Sequence, residues 1–276
     1  MLRWLVLTVP NWALLASAAG LAMLTTVVGI LVLRRFFTRV STAERSDMAR
    51  LLLSMTGSLY GLILGFVIIA AWNNVVQSTA AVSHEATSFA TLIRSSGSLT
   101  KEDQAVISRG VGKYVVAVRT DEWPNMREGK GRAQTAYDAM TGVYDSVAQL
   151  HPQGVVQEAT YRAMVNTVDE AYAARRVRLD RAEQHLPGGL VALLLTGVLV
   201  IEGFIILMAS NANRTERVMA VFANGLIGLT LALALLLDYP FSGQLGIDDR
   251  VFGNGALAPF NAEVQAIQSA RDAAKP

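Results

Sequence analysis

The sequence of 276 residues contains no cysteine. It can therefore form neither a disulfide framework nor a thiolate metal site. Charge is also scarce: charged residues make up 17% of the chain, hydrophobic residues make up 52%, and the formal net charge is only +2. So weak a net charge does not provide the basic face that nucleic-acid binding requires, and no nucleic-acid partner is expected. The composition is more apolar than that of an average soluble domain.

The short motifs that carry enzyme chemistry are absent as well. The sequence has no phosphate-binding glycine loop, no GxSxG nucleophile motif and no HExxH zinc motif. Its three histidines, His84, His151 and His185, stand far apart along the chain. We therefore expect no catalytic residue, no metal ligand and no cofactor, and we do not expect an enzyme.

Long uncharged runs are what the sequence does contain. The central run, residues 51–72, would extend about 33 Å as a helix, which is enough to cross the hydrocarbon core of a bilayer. Three further runs of similar length lie at about residues 12–33, 186–210 and 218–237. The sequence therefore predicts four transmembrane helices embedded in a lipid bilayer.

Residues 73–185, between the second and third spans, show helical periodicity without a long apolar run. Apolar residues at alternating four- and three-residue spacing from Val75 to Ile93 predict that the second span continues there as one coiled-coil-like helix, ending near residues 95–98. Pro124 is expected to end a later helix, because the residue before proline is pushed out of helical geometry. The predicted fold is an all-α membrane protein with a transmembrane pair in residues 1–72, a soluble helical domain in 73–185, a second transmembrane pair in 186–237 and a C-terminal tail in 238–276.

Arginines near the membrane boundaries give two opposing indications of orientation. Five arginines lie between residues 34 and 50, against two acidic residues, and the positive-inside rule places such a loop in the cytoplasm. Because this loop is short and early, we give it more weight, which puts residues 73–185 on the extracytoplasmic side of a bacterial inner membrane. The RRVRLDR segment at 175–181 argues for the reverse. It is either a solvated helix face beside the membrane, a binding site for anionic lipid headgroups, or a cluster that concentrates anions at a pore mouth.

Small residues recur along the second span. Gly57, Gly61 and Gly65 stand four residues apart, which places a bare groove down one face of the helix. Such a groove serves either close helix packing, which is the commoner use, or a narrow ion pathway. The sequence shows the groove but not its neighbour.

One carboxylate and one side-chain amide lie inside the predicted spans. Glu202 is the only charged side chain within any of them, and an ionisable group at that depth is a functional candidate. It is either an ion-coordinating or proton-carrying carboxylate, or a protonated group hydrogen-bonded to a neighbour such as Asn224. Asn224 itself is more often a contact between helices than a ligand.

A set of residues between about positions 50 and 250 matches a known pattern in order and spacing. The matching residues are Glu85, Arg94, Tyr114, the DEWPNM segment with Trp123 and Pro124, Arg175, Arg178, Leu179, Leu186, Pro187, and the DYPFSG segment with Asp238, Pro240, Phe241 and Gly243. Together with the layout of spans, they resemble the bestrophin-like domain family, a group of mostly bacterial membrane proteins. Bestrophins themselves are homopentameric anion channels whose second span lines the pore. The resemblance implies a homo-oligomer that passes a small inorganic ion.

The same resemblance places the pore constriction on one face of the second span. That face includes Gly61, Leu62, Phe66 and Ile69. Bestrophins keep the inserted domain in the cytoplasm, which conflicts with the arginine count of the first loop.

The segment after the fourth span departs from the bestrophin pattern. Bestrophins have a Pro-Phe-Gly turn there, followed by acidic residues that hold calcium. In this chain Ser242 separates Phe241 from Gly243, and the acidic run is reduced to Asp248 and Asp249. The resemblance therefore does not extend to a calcium site.

Three hypotheses for function follow. The leading one is an ion channel or pore lined by the second span. The alternative is a non-conducting membrane sensor or scaffold that binds a ligand or partner through its helical domain. A proton-coupled transporter that uses Glu202 is the least supported, because four spans without an evident inverted repeat are unusual for transporters.

Overall fold

The computed structural model describes residues 8–36, 43–152, 154–210, 212–242 and 246–274. Within these ranges the chain contains no β-strand, so the prediction of an all-α fold is confirmed. The α-helices are α1 (Asn11–Phe36), α2 (Ala43–Ser95), α3 (Lys101–Ala117), α4 (Trp123–Glu128), α5 (Gln134–Ala148), α6 (Val155–Glu183), α7 (Gly188–Ser210), α8 (Arg214–Leu237) and α9 (Asn261–Ala273). Shorter helical turns cover Ser96–Ser98, Val118–Glu122, Asp249–Gly253 and Gly255–Phe260.

Four helical stretches are long and apolar enough to cross a membrane, as predicted. They are Asn11–Arg35, Arg50–Ser98, Gly188–Ser210 and Arg214–Leu237. The second is 49 residues long, or about 74 Å at 1.5 Å per residue, which is more than twice the thickness of a hydrocarbon core. The helix that contains the second span therefore continues well beyond the length of a span, as the spacing of its apolar residues predicts.

The chain forms two compact units. The first contains the described residues up to Asn74 together with His185–Tyr239, and the second contains Val75–Gln184 together with the described residues from Pro240 onward. The candidate spans belong to the first unit, apart from the later part of α2. A soluble domain with boundaries at residues 73 and 185 stays a prediction.

In the first unit, α1 and α8 pack through small residues. A Cβ atom placed on Gly228 of α8 would lie 2.7 Å from the Cβ of Ala22 and 3.0 Å from the carbonyl oxygen of Ala18. Gly197 of α7 lies against the ring of Tyr60 of α2, where an added Cβ would approach the ring to 2.6 Å. Close helix contacts of this kind are typical of membrane proteins, where dispersion and shape replace the hydrophobic effect.

Replacing Gly228 with leucine is expected to destabilise the first unit. The backbone of α1 stands in the way of the new side chain, and overpacking of this kind costs about 1–3 kcal/mol. We expect the midpoint of thermal unfolding in detergent to fall by roughly 2–10 °C. Gly20→Leu is the matched control, because Gly20 has no neighbouring atom within 4 Å among the described residues. Equal midpoints for the two variants would show that α1 and α8 do not pack in this way.

Local hydrogen bonds set the starts of both later spans. The carbonyl of Pro187 accepts from the amides of Leu190 and Val191, and α7 begins at Gly188, two residues after the predicted start of the span at about residue 186. Asn213 and Glu216 form a reciprocal capping box, and α8 therefore begins at Arg214 rather than near residue 218.

The second unit has its own apolar core. The later part of α2 contributes Val82, Ala86 and Phe89, each at most 3% exposed. The ring of Phe89 packs on Tyr114 of α3 at a centroid distance of 4.5 Å. Residues of α5, α6 and the C-terminal segment complete the same core.

The prediction that Pro124 ends a helix is wrong. The backbone widens to a π-helical turn at Val118–Glu122, in which the amide of Trp123 donates to the carbonyl of Val118, and the chain continues as α4. Pro124 cannot donate to the carbonyl of Thr120, and Arg271 of α9 donates to that carbonyl instead, at 2.5 Å. Helix α4 ends where Gly129 adopts a φ of 78°.

The C-terminal residues belong to the second unit. Phe252, Leu257 and Val264 are buried, at no more than 1% exposed. A short helix is predicted from about Pro259 to Ala270, and the structure has α9 there, preceded by the turn at Gly255–Phe260.

Candidate functional site

One face of α2 in the first unit is covered and the opposite face is open. Tyr60 and Leu64 are buried, at 7% and 6% exposed, and they pack with residues of α7 and α8. On the other side Leu62 is 57% exposed, Phe66 is 63% exposed and Ile69 is 57% exposed. The residues predicted to line a pathway therefore lie on a face that the described part of the chain leaves uncovered.

The glycine stripe of α2 is open as well. A Cβ atom placed on Gly57, Gly61 or Gly65 would meet no atom of the described residues within 4 Å. Close helix packing within the described chain relies on other glycines, such as Gly197 and Gly228. The described part of one chain thus leaves the groove free of packing, and its use as an interface between chains or as a pathway stays a prediction.

Asn224 connects two spans. It is 1% exposed, and its amide donates to the hydroxyl of Thr26 of α1 at 2.5 Å and to the carbonyl of Ala22 at 3.5 Å. This geometry corresponds to the interpretation of Asn224 as a contact between helices.

Glu202 does not pair with Asn224. The carboxylate is partly buried on α7, and its Oε1 atom has no hydrogen-bond partner in the described chain. The hydroxyl of Tyr60 is also buried without a partner there. The suggested hydrogen bond between Glu202 and Asn224 is thus not formed: the Asn224 amino group donates to α1, and the Asn224 Oδ1 atom, which could accept from a protonated carboxyl, has no partner in the described chain either.

A buried ionic cluster occupies the centre of the second unit. Arg178 of α6 donates to Glu85 of α2 at 2.7 and 3.0 Å, and to Glu122 at 2.7 Å. Arg175 donates to Glu122 at 2.5 and 3.2 Å. The hydroxyl of Tyr114 donates to Glu85 at 2.5 Å. The two carboxylates and two guanidinium groups are at most 3% exposed, so two opposite pairs of charges lie out of contact with water.

The elements of the second unit explain how this cluster is assembled. Arg175 and Arg178 stand three residues apart and so share a face of α6, and the π-helical turn carries Glu122. Trp123 packs over the guanidinium of Arg178, whose carbon lies 5.5 Å from the ring centroid. The ring of Phe241 packs edge-to-face on Trp123 at a centroid distance of 5.7 Å.

Glu122, Arg175 and Arg178 hold one another in their ionised forms. Burial alone would raise the pKa of Glu122, but Arg178 and Arg175 outweigh it and the pKa lies below its ordinary value. Burial alone would lower the pKa of Arg178, and Glu85 outweighs it, so that pKa is raised. Burial, and then the charge of Glu85, raises the pKa of Tyr114 well above 10. The cluster therefore pairs two glutamates with two arginines away from water.

Acid is expected to destabilise the second unit. Because the folded pKa of Glu122 lies below 4.5, its contribution is fully present above pH 4.5 and is lost as pH falls through the folded value. The contribution of neutral Tyr114 is lost only as pH rises through its raised folded pKa. Thermal midpoints measured from about pH 3 to pH 9 should therefore fall at the acid end and stay level above about pH 6. A fall between pH 6 and 9 that Glu122→Gln abolishes would contradict this assignment.

The residues of the family pattern separate into two groups. Glu85, Tyr114, Trp123, Arg175 and Arg178 converge in the buried cluster, whereas Arg94 lies exposed at the end of α2. The interpretation of the RRVRLDR segment as a solvated or lipid-binding face is wrong for its two buried arginines. The apolar residues that share their face of α6, such as Ala171 and Ala182, were the signal that could have shown this.

The remaining family residues stabilise chain turns. In the first unit, Asp238 accepts from the amide of Leu186 at 2.7 Å, beside Pro187. In the second unit, the carbonyl of Pro240 accepts from the amide of Ile247 at 2.8 Å. Gly243 lies outside the described residues.

Both acidic residues after the fourth span form ion pairs with arginines. Asp249 accepts from Arg119 at 2.7 Å, and Asp248 forms an ion pair with Arg250 at 2.7 Å. Because these carboxylates are neutralised by side chains of the same unit, they do not fit a calcium clasp.

These features define an all-α integral membrane protein. Its fold is similar to crystal structures of three single-substitution variants of a bacterial bestrophin homologue from Klebsiella pneumoniae. The TM-scores are 0.68, 0.67 and 0.65 at sequence identities of 15%, 14% and 16%. The similarity covers 91%, 92% and 91% of this chain and 99%, 98% and 97% of those chains. The sequence model of the Bestrophin-like domain matches residues 20–252, and the chain belongs to that family. No curated protein sequence matches it.

Proposed function

We propose that this protein is an anion channel in which α2 lines the ion pathway of a homo-oligomer. The observation that carries the proposal is the uncovered face of α2 with Leu62, Phe66 and Ile69, opposite a face that is packed in the first unit. Membership of the bestrophin-like family supports the same function.

The spacing of the uncovered residues supports a symmetric assembly. Met55, Leu59, Leu62, Phe66 and Ile69 are separated by alternating steps of four and three residues, and each is more than half exposed. Such a stripe is typical of helices that pack around a common axis with copies of themselves. A ring of apolar side chains at that axis would gate the passage of ions by excluding water.

Ion efflux from liposomes tests the proposed function. Purified protein is reconstituted at known protein-to-lipid ratio, and chloride and potassium gradients are applied separately. We expect efflux in the chloride gradient and little in the potassium gradient. Folded, reconstituted protein that is silent in both gradients would refute a channel.

The alternative is a non-conducting sensor or scaffold, and one observation favours it. A groove of about 610 Å³ lies between α3 and α5 in the second unit. Its charged lining residues are Arg109, Lys113 and Asp138, so basic side chains outnumber acidic ones there. A ligand with acidic groups would suit this surface, and silence in the flux measurement would make it the leading candidate.

The orientation of the protein in a bacterial inner membrane is part of this proposal. Arg34 and Arg50 belong to the first link between spans, and Arg214 and Arg217 belong to the second, so both links carry positive charge. The RRVRLDR segment at 175–181 argues for the opposite orientation. Its arginine count overstates that argument, because Arg175 and Arg178 are neutralised within the second unit. We propose that both links face the cytoplasm and that residues 73–185 face outward.

A thiol reagent that cannot cross membranes measures this orientation directly, since the native chain has no cysteine. Lys130 is 67% exposed in the second unit, so Lys130→Cys should be labelled in intact spheroplasts. Arg50→Cys is the control and should be labelled only after the membrane is permeabilised. The opposite pattern would place the helical unit in the cytoplasm.

A further inference from the structure

We propose that a groove between α1 and α8 is a binding site for one anionic phospholipid. The groove belongs entirely to the first unit and has a volume of about 360 Å³. Arg34, at the end of α1, and Arg214 and Arg217, at the start of α8, line it together. The proposal does not depend on whether the protein conducts ions.

The rest of the groove is suited to an acyl chain. Val27 and Leu31 of α1 and Val218 and Phe222 of α8 line it, and these side chains are between 39% and 63% exposed. All four lie within helices that are long and apolar enough to span a membrane. A cavity with apolar walls and a cationic end is complementary to the acyl chain and the anionic headgroup of a phospholipid. A soluble anion would make no use of the apolar walls.

The charge at the groove is available for a headgroup. Within the described chain, Arg34 and Arg214 have neither a hydrogen bond nor an ion pair, and both are exposed. The Nε atom of Arg217 donates to the carbonyl of Ala212 at 2.9 Å, which fixes this side chain beside the groove. Glu216 is the nearest acidic residue in sequence, and its carboxylate accepts from the amide of Asn213 in the capping box.

Guanidinium groups are well matched to phosphate oxygens. Each planar guanidinium offers several N–H donors that pair with two oxygens at once. A phosphodiester with a neutral polar remainder, as in phosphatidylglycerol, leaves the phosphate charge uncompensated. A zwitterionic headgroup such as phosphatidylcholine carries its own cation and gains less from the three arginines.

The test measures lipid binding to the purified full-length protein in detergent. Dioleoylphosphatidylglycerol and dioleoylphosphatidylcholine are titrated in mixed micelles, and bound lipid is counted by native mass spectrometry while the thermal midpoint is recorded. We expect phosphatidylglycerol to raise the midpoint by about 5 °C near saturation and phosphatidylcholine to have little effect. Equal effects of the two lipids would overturn the proposal.

Variants show whether the groove itself binds the lipid. Arg34→Gln and Arg214→Gln should each weaken binding about fivefold, because a basic residue near the membrane surface contributes about that factor. Arg50→Gln is the matched control, since Arg50 is an exposed arginine near the start of a span that does not line the groove. An equal loss of lipid affinity in all three variants would show that the lipid is attracted by surface charge in general, and it would overturn a specific site in the groove.

Two further measurements distinguish a bound phospholipid from a free anion and from a neighbouring subunit. Val218→Trp fills the groove and leaves the arginines in place, so it should also reduce binding of phosphatidylglycerol. Inorganic phosphate should neither shift the midpoint nor compete at millimolar concentration, and a shift equal to that of the lipid would indicate a free-anion site instead. An intact oligomer that retains no phosphatidylglycerol would show that a neighbouring subunit covers the groove, and it too would overturn the proposal.

Discussion

Replacing Arg178 with methionine is expected to lower the free energy of unfolding of the second unit by about 3–5 kcal/mol. Arg178 is fully buried and donates to both Glu85 and Glu122. Its removal leaves Glu85 with the hydroxyl of Tyr114 and no cation, in a site without access to water. An uncompensated buried charge of this kind is among the most destabilising defects known in protein cores.

Hydrogen exchange of the intact protein measures this effect, because the amides of α3 and α6 report on opening of the second unit. Arg176→Met is the matched control on the same helix, since Arg176 is exposed, and it should change stability by less than about 0.5 kcal/mol. Arg178→Lys should restore little of the lost stability, because an ammonium group cannot reproduce the contacts that the planar guanidinium makes with two carboxylates at once. Equal protection of these amides from exchange in Arg178→Met and Arg176→Met would contradict a stabilising role of the buried cluster.

Replacing Gly61 with leucine is expected to reduce chloride flux by on the order of tenfold or more. The new side chain would project from the uncovered face of α2, beside Leu62, and would narrow a pathway on that face. Since a Cβ atom on Gly61 meets none of the described residues within 4 Å, the substitution should leave the packing of the chain intact. Loss of flux with an unchanged thermal midpoint is the expected combination.

Gly20→Leu is the control for this effect. Gly20 lies in α1, and a Cβ atom placed there also meets nothing within 4 Å. The two variants therefore add the same apolar volume at uncrowded positions in two different spans. Flux that is unchanged in Gly61→Leu, or lost equally in both variants, would count against α2 as the lining helix.

The membrane part of the fold could be predicted from sequence because its constraints are one-dimensional. A span needs an uncharged run of a certain length, and residues 51–72 meet that requirement without reference to any other part of the chain. The continuation of α2 to Ser95 was likewise encoded locally, in the spacing of its apolar residues.

The buried cluster could not be predicted in this way. Counting charges along the sequence identifies Arg178 only as a cation near a membrane. Its partner Glu85 lies 93 positions away in the sequence, so the count does not show that the two residues pair. The continuation of the helix through Pro124 also depends on a distant residue, since Arg271 lies 151 positions from the carbonyl of Thr120 that it satisfies. Local rules fail at such positions because a tertiary contact supplies what the local backbone lacks.

The most direct test of the central claim is the reactivity of a single cysteine on the uncovered face of α2. The native chain has no cysteine, so Phe66→Cys introduces a unique thiol at a position that is 63% exposed in one chain. Leu24→Cys, at a position 58% exposed on α1, provides the lipid-facing comparison. A charged thiol reagent should modify Phe66→Cys in reconstituted protein and block chloride flux, and it should leave Leu24→Cys unmodified. A Phe66→Cys protein that conducts chloride and remains inert to the reagent would contradict an ion pathway along this face of α2.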